Sequence, residues 1–242
     1  MIKNSDTIYS KSQNSHPFRF DKRVASVFTD MIKRSVPGYS EIIVNIQKLA
    51  SIYVQTNSNC YDLGCSLGAA SLAMSHGNRA NGVNIIGIDN SSEMLEQCEN
   101  KLAGFVHNSP ISLIHADIQQ TKITNASMVV LNYTLQFVPR KERIQIIKTV
   151  YDGLLPGGIL LLSEKIIYSD AAINQLMIEL HHQFKRDNGY SELEISQKRS
   201  ALENVLIPEL LETHITRMQN AGFEHVDCIQ QQLNFASFIA IK

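Results

Sequence analysis

Little in this 242-residue sequence points toward a membrane or out of the cell. No apolar run approaches the roughly 18–20 residues needed to span a bilayer. The opening stretch MIKNSDTIYSKSQNSHPF lacks the apolar core of an export signal. A soluble, cytoplasmic protein with no membrane partner is expected. Cysteine is scarce: Cys60, Cys65, Cys98 and Cys228 form no Cys-x-x-Cys pair, and their spacings suit neither a zinc site nor a disulfide framework. Free thiols in a reducing compartment are the plain expectation. Basic excess is also missing, since 22 Lys and Arg face 23 Asp and Glu for a net charge of −1. The densest basic stretches, Lys22-Arg23, Lys33-Arg34 and Arg140-Lys141 with Arg143, are short and scattered. Direct nucleic-acid binding is therefore not expected.

What is there is an ordinary globular balance of 44% hydrophobic and 19% charged residues. The first twenty residues are polar and read as a mobile arm. Residues 21–55 hold two helices broken at Pro37-Gly38, with apolar stripes through Val24, Val27, Phe28 and Met31 and then through Ile42, Ile46, Leu49 and Tyr53. This pair forms an N-terminal helical cap. From residue 58 to 165 short apolar runs alternate with helices. Strands are expected at 59–63, 84–89, 111–115, 127–132 and 158–163, with helices at about 67–77, 91–104 and 140–153. A long polar helical stretch, within 166–221, reads as an inserted lid or dimerisation element. Two strand-like runs, 223–229 and 234–241, close the chain within 222–242, separated by a Gln-rich turn. The expected fold is a single α/β domain with a doubly wound, mostly parallel seven-stranded sheet ending in an antiparallel hairpin.

Chemistry concentrates where strands end. Tyr61-Asp62-Leu63-Gly64-Cys65-Ser66-Leu67-Gly68 follows the first sheet strand and leads into a helix. Glycines there let backbone approach a ligand, with helix N-terminal amides pointing at it. The second strand ends in Asp89-Asn90, placed to accept ribose hydroxyls. After the third come Ala116-Asp117-Ile118, suited to an adenine edge and face, and the fourth ends in Asn132. A Gly-x-x-x-Gly turn alone is often tight packing, and Asp89 alone could be a helix N-terminal acid. Together they converge on one edge of the sheet and specify a nucleoside site. A nicotinamide dinucleotide fits poorly, because Ser66 stands where the pyrophosphate needs glycine and Asp62 would repel a diphosphate. Asp62 suits a cationic amino-acid group. His181-His182 lacks a third ligand at helical spacing, so no metal is expected. Tyr133 and Tyr190 could touch a substrate ring and Arg23 and Arg34 its carboxylates, but tyrosines at helix or strand ends more often pack, and none of the four is taken as a site residue.

At these motifs the chain resembles class I S-adenosylmethionine methyltransferases, with Leu154-Leu155-Pro156-Gly157-Gly158 before strand five as a further match. A narrower likeness rests on Arg34 to Tyr39, Ala126 to Asn132 with Leu135-Gln136-Phe137, and Phe184-Lys185-Arg186 through Gln197-Lys198-Arg199-Ser200. These segments resemble the carboxy-S-adenosylmethionine synthase family over nearly the whole chain. The resemblance implies that S-adenosylmethionine and prephenate are converted to S-adenosyl-S-carboxymethyl-L-homocysteine, phenylpyruvate and water. The product then serves a separate tRNA carboxymethyltransferase that modifies wobble uridine. It further implies that Tyr39, Gly64, Cys65, Ser66, Asp89, Asn90, Asp117, Ile118 and Asn132 line the cofactor site. Arg199 would pair with the new carboxylate, for which a guanidinium is well shaped. A conventional small-molecule methyltransferase is the alternative, and the lid segment carrying Arg199 argues against it. The long polar insertion makes a homodimer an expectation.

Overall fold

The computed structural model describes residues 5–11 and 17–242. Helix α1 (Lys22–Ser35) is started by the Asp21 carboxylate, which accepts the amides of Arg23 and Val24. Helix α2 (Tyr39–Tyr53) follows Gly38, whose φ of 74° the turn requires. Then come β1 (Asn59–Leu63), α3 (Ala69–Gly77), β2 (Asn84–Asp89), α4 (Ser92–Leu102) and β3 (Ile111–His115). The chain continues through β4 (Ala126–Asn132), α5 (Arg140–Gly153) and β5 (Leu154–Ile167) to α6 (Ala171–Asp187) and α7 (Glu192–Leu202). It closes with β6 (Glu209–Leu210), α8 (Leu211–Ala221), β7 (His225–Gln232) and β8 (Phe235–Ile241).

The main sheet runs β3-β2-β1-β4-β5-β8-β7, and the two-residue β6 pairs beside the end of β5. Strands β1 to β5 pair parallel with one another, while β8 pairs antiparallel with both β5 and β7. The seven expected strands are all present, and β6 is an eighth too short to show a pattern. Both faces of the sheet are covered, which explains the continuous apolar runs. In β4, Met128 and Val130 join the core with Ile42, Ile46 and Met74, whereas Val129 and Leu131 join Ile147, Leu162 and Phe238. Burying each such side chain contributes roughly 1.5–3 kcal/mol, so a polar residue at the centre of β4 would be costly on either face.

Three features differ from the sequence expectation. Strand β5 begins at Leu154, ahead of Pro156-Gly157, because its register against β4 shifts and absorbs those residues as an irregularity. The region expected as one lid divides: α6 and α7 lie outside the sheet, but α8 brings Met218, Ala221, Leu211 and Ile215 to the sheet core. It belongs to the core, and Gly222 ends it before β7. The Gln-rich stretch is strand, with Gln230, Gln231 and Gln232 paired to β8, and the reversal falls at Leu233-Asn234. Strand β7 carries its own register shift between Cys228 and Gln230.

Of the expected arm, residues 1–4 and 12–16 lie outside the described residues. The rest is packed. Asp6 is 1% exposed, and Phe18 is buried with Val24, Val27, Met31 and Ala201. The Phe18 amide donates to the Ala201 carbonyl at 3.0 Å, and the Tyr9 carbonyl accepts from Gln197. This N-terminal segment therefore ties α1 to α7.

Candidate active site

Strand order reverses between β1 and β4, which sit side by side with outgoing connections to opposite parts of the sheet. Open α/β folds bind ligands beyond the strand ends at that place. A cavity of about 560 Å³ lies there, within the range of small-molecule sites. Its walls include Tyr39, Gly64, Cys65, Ser66, Asp89, Asn90, Asp117, Ile118 and Asn132, so nine of the expected site residues share one cavity.

The turn after β1 is held by its neighbour strand: the amides of Gly64 and Cys65 both donate to the Ile88 carbonyl, at 2.8 and 2.9 Å. Gly64 has a φ of +77°, and an added Cβ would lie 2.4 Å from Thr134. Ser66 is also left-handed, at φ 53°, and its amide donates to Asp89 at 2.8 Å. Strain of this kind in a non-glycine residue is concentrated at functional sites. The other Asp89 oxygen accepts the Ser91 amide at 3.0 Å. Burial pushes the Asp89 carboxyl up, against the pull of these amides.

Asp62, buried at the end of β1, accepts the Ser71 amide and hydroxyl at 2.8 and 2.6 Å. Burial raises its carboxyl to about 6, the Ser71 bonds oppose that shift, and the Asp89 charge adds a little to it. A cation placed here would relieve the cost of the buried charge. Tyr39, from the start of α2, meets the ring of Tyr133 with centroids 6.3 Å apart. Burial and Asp62 hold its phenol strongly protonated. Asp117 accepts the Gln119 amide at 3.0 Å and so starts the single turn that presents Ile118. Cys65 lies against Cys98, and contact with that thiol together with burial holds it in the neutral form.

Two buried atoms among the described residues have no protein partner and belong to residues lining this cavity: Ser66 Oγ and Asn132 Oδ1. Buried polar atoms without partners cost about 1–3 kcal/mol each, so a ligand carrying hydroxyl or amine groups is called for. A nucleoside joined to an amino acid fits this set: Asp89 for a ribose, Asp117 and Ile118 for a base, Asp62 for an ammonium group.

The fold and the motifs have known counterparts. Residues 61–158 match the methyltransferase domain family. A solved methyltransferase of Methanococcus maripaludis, described as putative and S-adenosyl-L-methionine-dependent, superposes with a TM-score of 0.60 at 19% identity. The likeness covers 94% of this chain and 96% of that one, and shows the fold. Carboxy-S-adenosyl-L-methionine synthase of Pseudoalteromonas atlantica is 52% identical over 242 residues, all of both chains. That of Shewanella sediminis is 50% identical, again over the full length of both. The chain belongs to the carboxy-S-adenosyl-L-methionine synthase family.

Within this family frame the place of Arg199 stands out. It is exposed on α7 and does not line the cavity, in contrast to the nine residues above. It is near enough to depress the lysines Lys165 and Lys185 by its charge. Sequence reasoning missed those two lysines and Lys198, all of which line the cavity. Lys185 and Lys198 fall in polar helical segments that read as solvent-facing, and although both lie in the stretch that carries the family resemblance, that resemblance gives a role there to Arg199 alone. His181 has no metal-ligand partners among the described residues and lines the cavity wall: its Nε2 meets the Ser35 carbonyl at 2.8 Å and its ring packs edge-on against Phe235. Arg34 donates to the Asn188 carbonyl at 2.7 Å and lies over the Tyr190 ring, holding α1 to the α6–α7 connection.

Proposed function

We propose that this member of the synthase family uses S-adenosylmethionine as substrate and prephenate as carboxyl donor, yielding S-adenosyl-S-carboxymethyl-L-homocysteine, phenylpyruvate and water. The observation that carries the reading is the full-length identity of about half with named synthases, joined to a cavity that extends from the nucleoside residues to a second set of walls. Those walls are Tyr133, Phe235 and His181. In this reading the sulfonium-bound methyl group is deprotonated by the base released as prephenate decarboxylates, and the carbon so formed captures carbon dioxide. A short-lived carbanion requires exclusion of water. The cap helix α1 and the lid helices α6 and α7 supply residues to the cavity wall that serve this purpose. Arg199 pairs with the new carboxylate through its guanidinium.

The same reading assigns the product to a separate tRNA carboxymethyltransferase for 5-oxyacetyl modification of wobble uridine, in the cytoplasm. The near-neutral charge of this chain supports leaving tRNA to that partner. A homodimer is supported by Ile173, Leu176 and Leu180 on α6 and Leu193 on α7, large apolar side chains left exposed.

The test is mass spectrometry of the small molecules released when purified protein is denatured after incubation with both substrates. A species about 44 mass units above S-adenosylmethionine, the added carbon dioxide, is expected. Methylated acceptor with S-adenosylhomocysteine would instead indicate a conventional methyltransferase.

A further inference from the structure

Three ammonium groups line the same cavity, and they are not equivalent. Lys198, on α7, is matched: its Nζ donates to Ser35 Oγ at 2.9 Å and lies 3.6 Å from the Asp6 carboxylate. Lys165, near the end of β5, and Lys185, on α6, have no side-chain hydrogen bond or ion-pair partner among the described residues. Lys185 is only 8% exposed. A buried ammonium without a partner is expensive, so the group tends to give up its proton unless a counter-charge is supplied.

The surroundings narrow the ligand. A run of ring contacts leads from the cofactor residue Tyr39 to Tyr133, from Tyr133 to Phe235 at 5.9 Å, and from Phe235 to His181 at 4.9 Å. His181 lies one helical turn before Lys185 on α6. Burial and the charge of Lys185 keep the His181 ring neutral, its pKa pushed down to about 2, so it offers a flat surface and no charge. The arrangement is two lysine amines without side-chain partners among the described residues, from separate elements, beside an aromatic wall that begins at the cofactor residue Tyr39.

We propose that Lys165 and Lys185 are the carboxylate-binding residues of a subsite for the second substrate, and that the subsite takes a ring-bearing dicarboxylate with its ring against Tyr133, Phe235 and His181. This assignment rests on the proposed function, in which the carboxyl donor is such a molecule. Charge number supports it, since two unpaired amine side chains match two carboxylates. Burial lowers both lysines first, with Arg199 acting on Lys165, and Lys165, Lys198 and Arg199 acting on Lys185. A bound dianion would restore their positive form. The other charged groups around them are His182 on α6, Asp6 beside Lys198, and Arg34 and Asp30 of α1 facing Lys198.

The experiment uses the full chain and its Lys165→Met and Lys185→Met variants. S-adenosylmethionine affinity by calorimetry should stay within about twofold, while KM for prephenate rises by about tenfold or more. Unchanged KM for prephenate in both variants would overturn the assignment. Loss of S-adenosylmethionine binding would overturn it too, by placing the lysines on the cofactor's own carboxylate. Wild-type protein is tested in parallel by reductive methylation read by peptide mass spectrometry, which does not depend on the variants folding. Benzylmalonate, a non-reacting ring-bearing dicarboxylate, should protect Lys165 and Lys185, whereas 3-phenylpropionate and inorganic phosphate should not. Equal protection by all three, or none by benzylmalonate, would overturn the subsite. Failure of wild-type enzyme to make carboxylated product from prephenate would count against the proposed function alone, because the protection result stands separately.

Discussion

The Asp89 carboxylate accepts the amide of Ser66 at 2.8 Å, joining the end of β2 to the left-handed residue of the turn after β1. The acid proposed to hold a ribose therefore also shapes the loop beside it in the cavity wall. Asp89→Asn removes the charge and one acceptor from both tasks. S-adenosylmethionine affinity should fall about 10- to 100-fold, the range for hydrogen bonds to a charged group. Calorimetric titration checks this, and an affinity within twofold of wild type would show that Asp89 serves the loop only.

Gly64→Ala places a Cβ where Thr134 stands and forces an alanine to φ +77°. The backbone cost alone is about 1–2 kcal/mol. Urea denaturation should show at least that loss, together with weakened cofactor binding. Adding Thr134→Ala should recover part of the loss in a double-mutant cycle, since it removes the two closest atoms but leaves the backbone strain.

Binding of S-adenosylmethionine should weaken as pH falls below about 6, where the Asp62 carboxyl takes up a proton and ceases to attract an ammonium group. Linkage limits the slope to about tenfold per pH unit for one proton. The sign for stability is opposite. The folded pKa of Asp62 lies above its ordinary 3.8, so its contribution is full below that value and is lost as pH rises through about 6. Ligand-free protein gains nothing from this carboxylate at neutral pH. Asp62→Asn should bind less tightly but with a flat profile between pH 5 and 7.

Arg199→Ala should leave S-adenosylmethionine affinity intact and weaken retention of the carboxylated product by about tenfold or more, as expected for a lost guanidinium–carboxylate pair. Competition between the two ligands reads the ratio directly. Equal affinities before and after the substitution would remove Arg199 from the product site.

Between α5 and α8, Glu209 of β6 accepts from Arg143 and Arg217 at 2.6 Å each, with the Arg143 side chain fully buried. Burial alone would raise Glu209, but the two arginines outweigh it and hold the carboxyl below its usual range. Glu209→Gln leaves buried guanidinium charge unmatched and should cost about 3–5 kcal/mol in urea denaturation. Because the folded pKa is depressed, the wild-type advantage is present above about pH 4.5 and disappears as pH falls through the folded value.

The sheet was legible because burial on both faces leaves strands such as Met128 to Leu131 without polar interruption, and the cavity-lining Asp89, Asp117 and Asn132 because they recur at successive strand ends. Other parts depend on contacts distant in sequence. Asp6 sits in a polar stretch with no periodicity, and its burial comes from Tyr190 and Lys198, which lie far along the chain. Lys185 and Lys198 have the composition of a solvated helix, yet both are buried, Lys198 against Ser35 of α1 and Asp6 of the N-terminal segment. Helix α8 merged with the lid in sequence because the two-residue β6 before it carries too little pattern to mark the return to the sheet.

The register shift in β7 bears on a hazard of every open sheet. An outer strand with regular, unpaired amides and carbonyls is a template on which other chains can add. Strand β7 is such an outer strand, but the irregularity between Cys228 and Gln230 breaks the even spacing of its hydrogen-bonding groups. The acidic Asp227 adjoins the break. At this edge the sheet therefore ends in a strand poorly suited to recruit another.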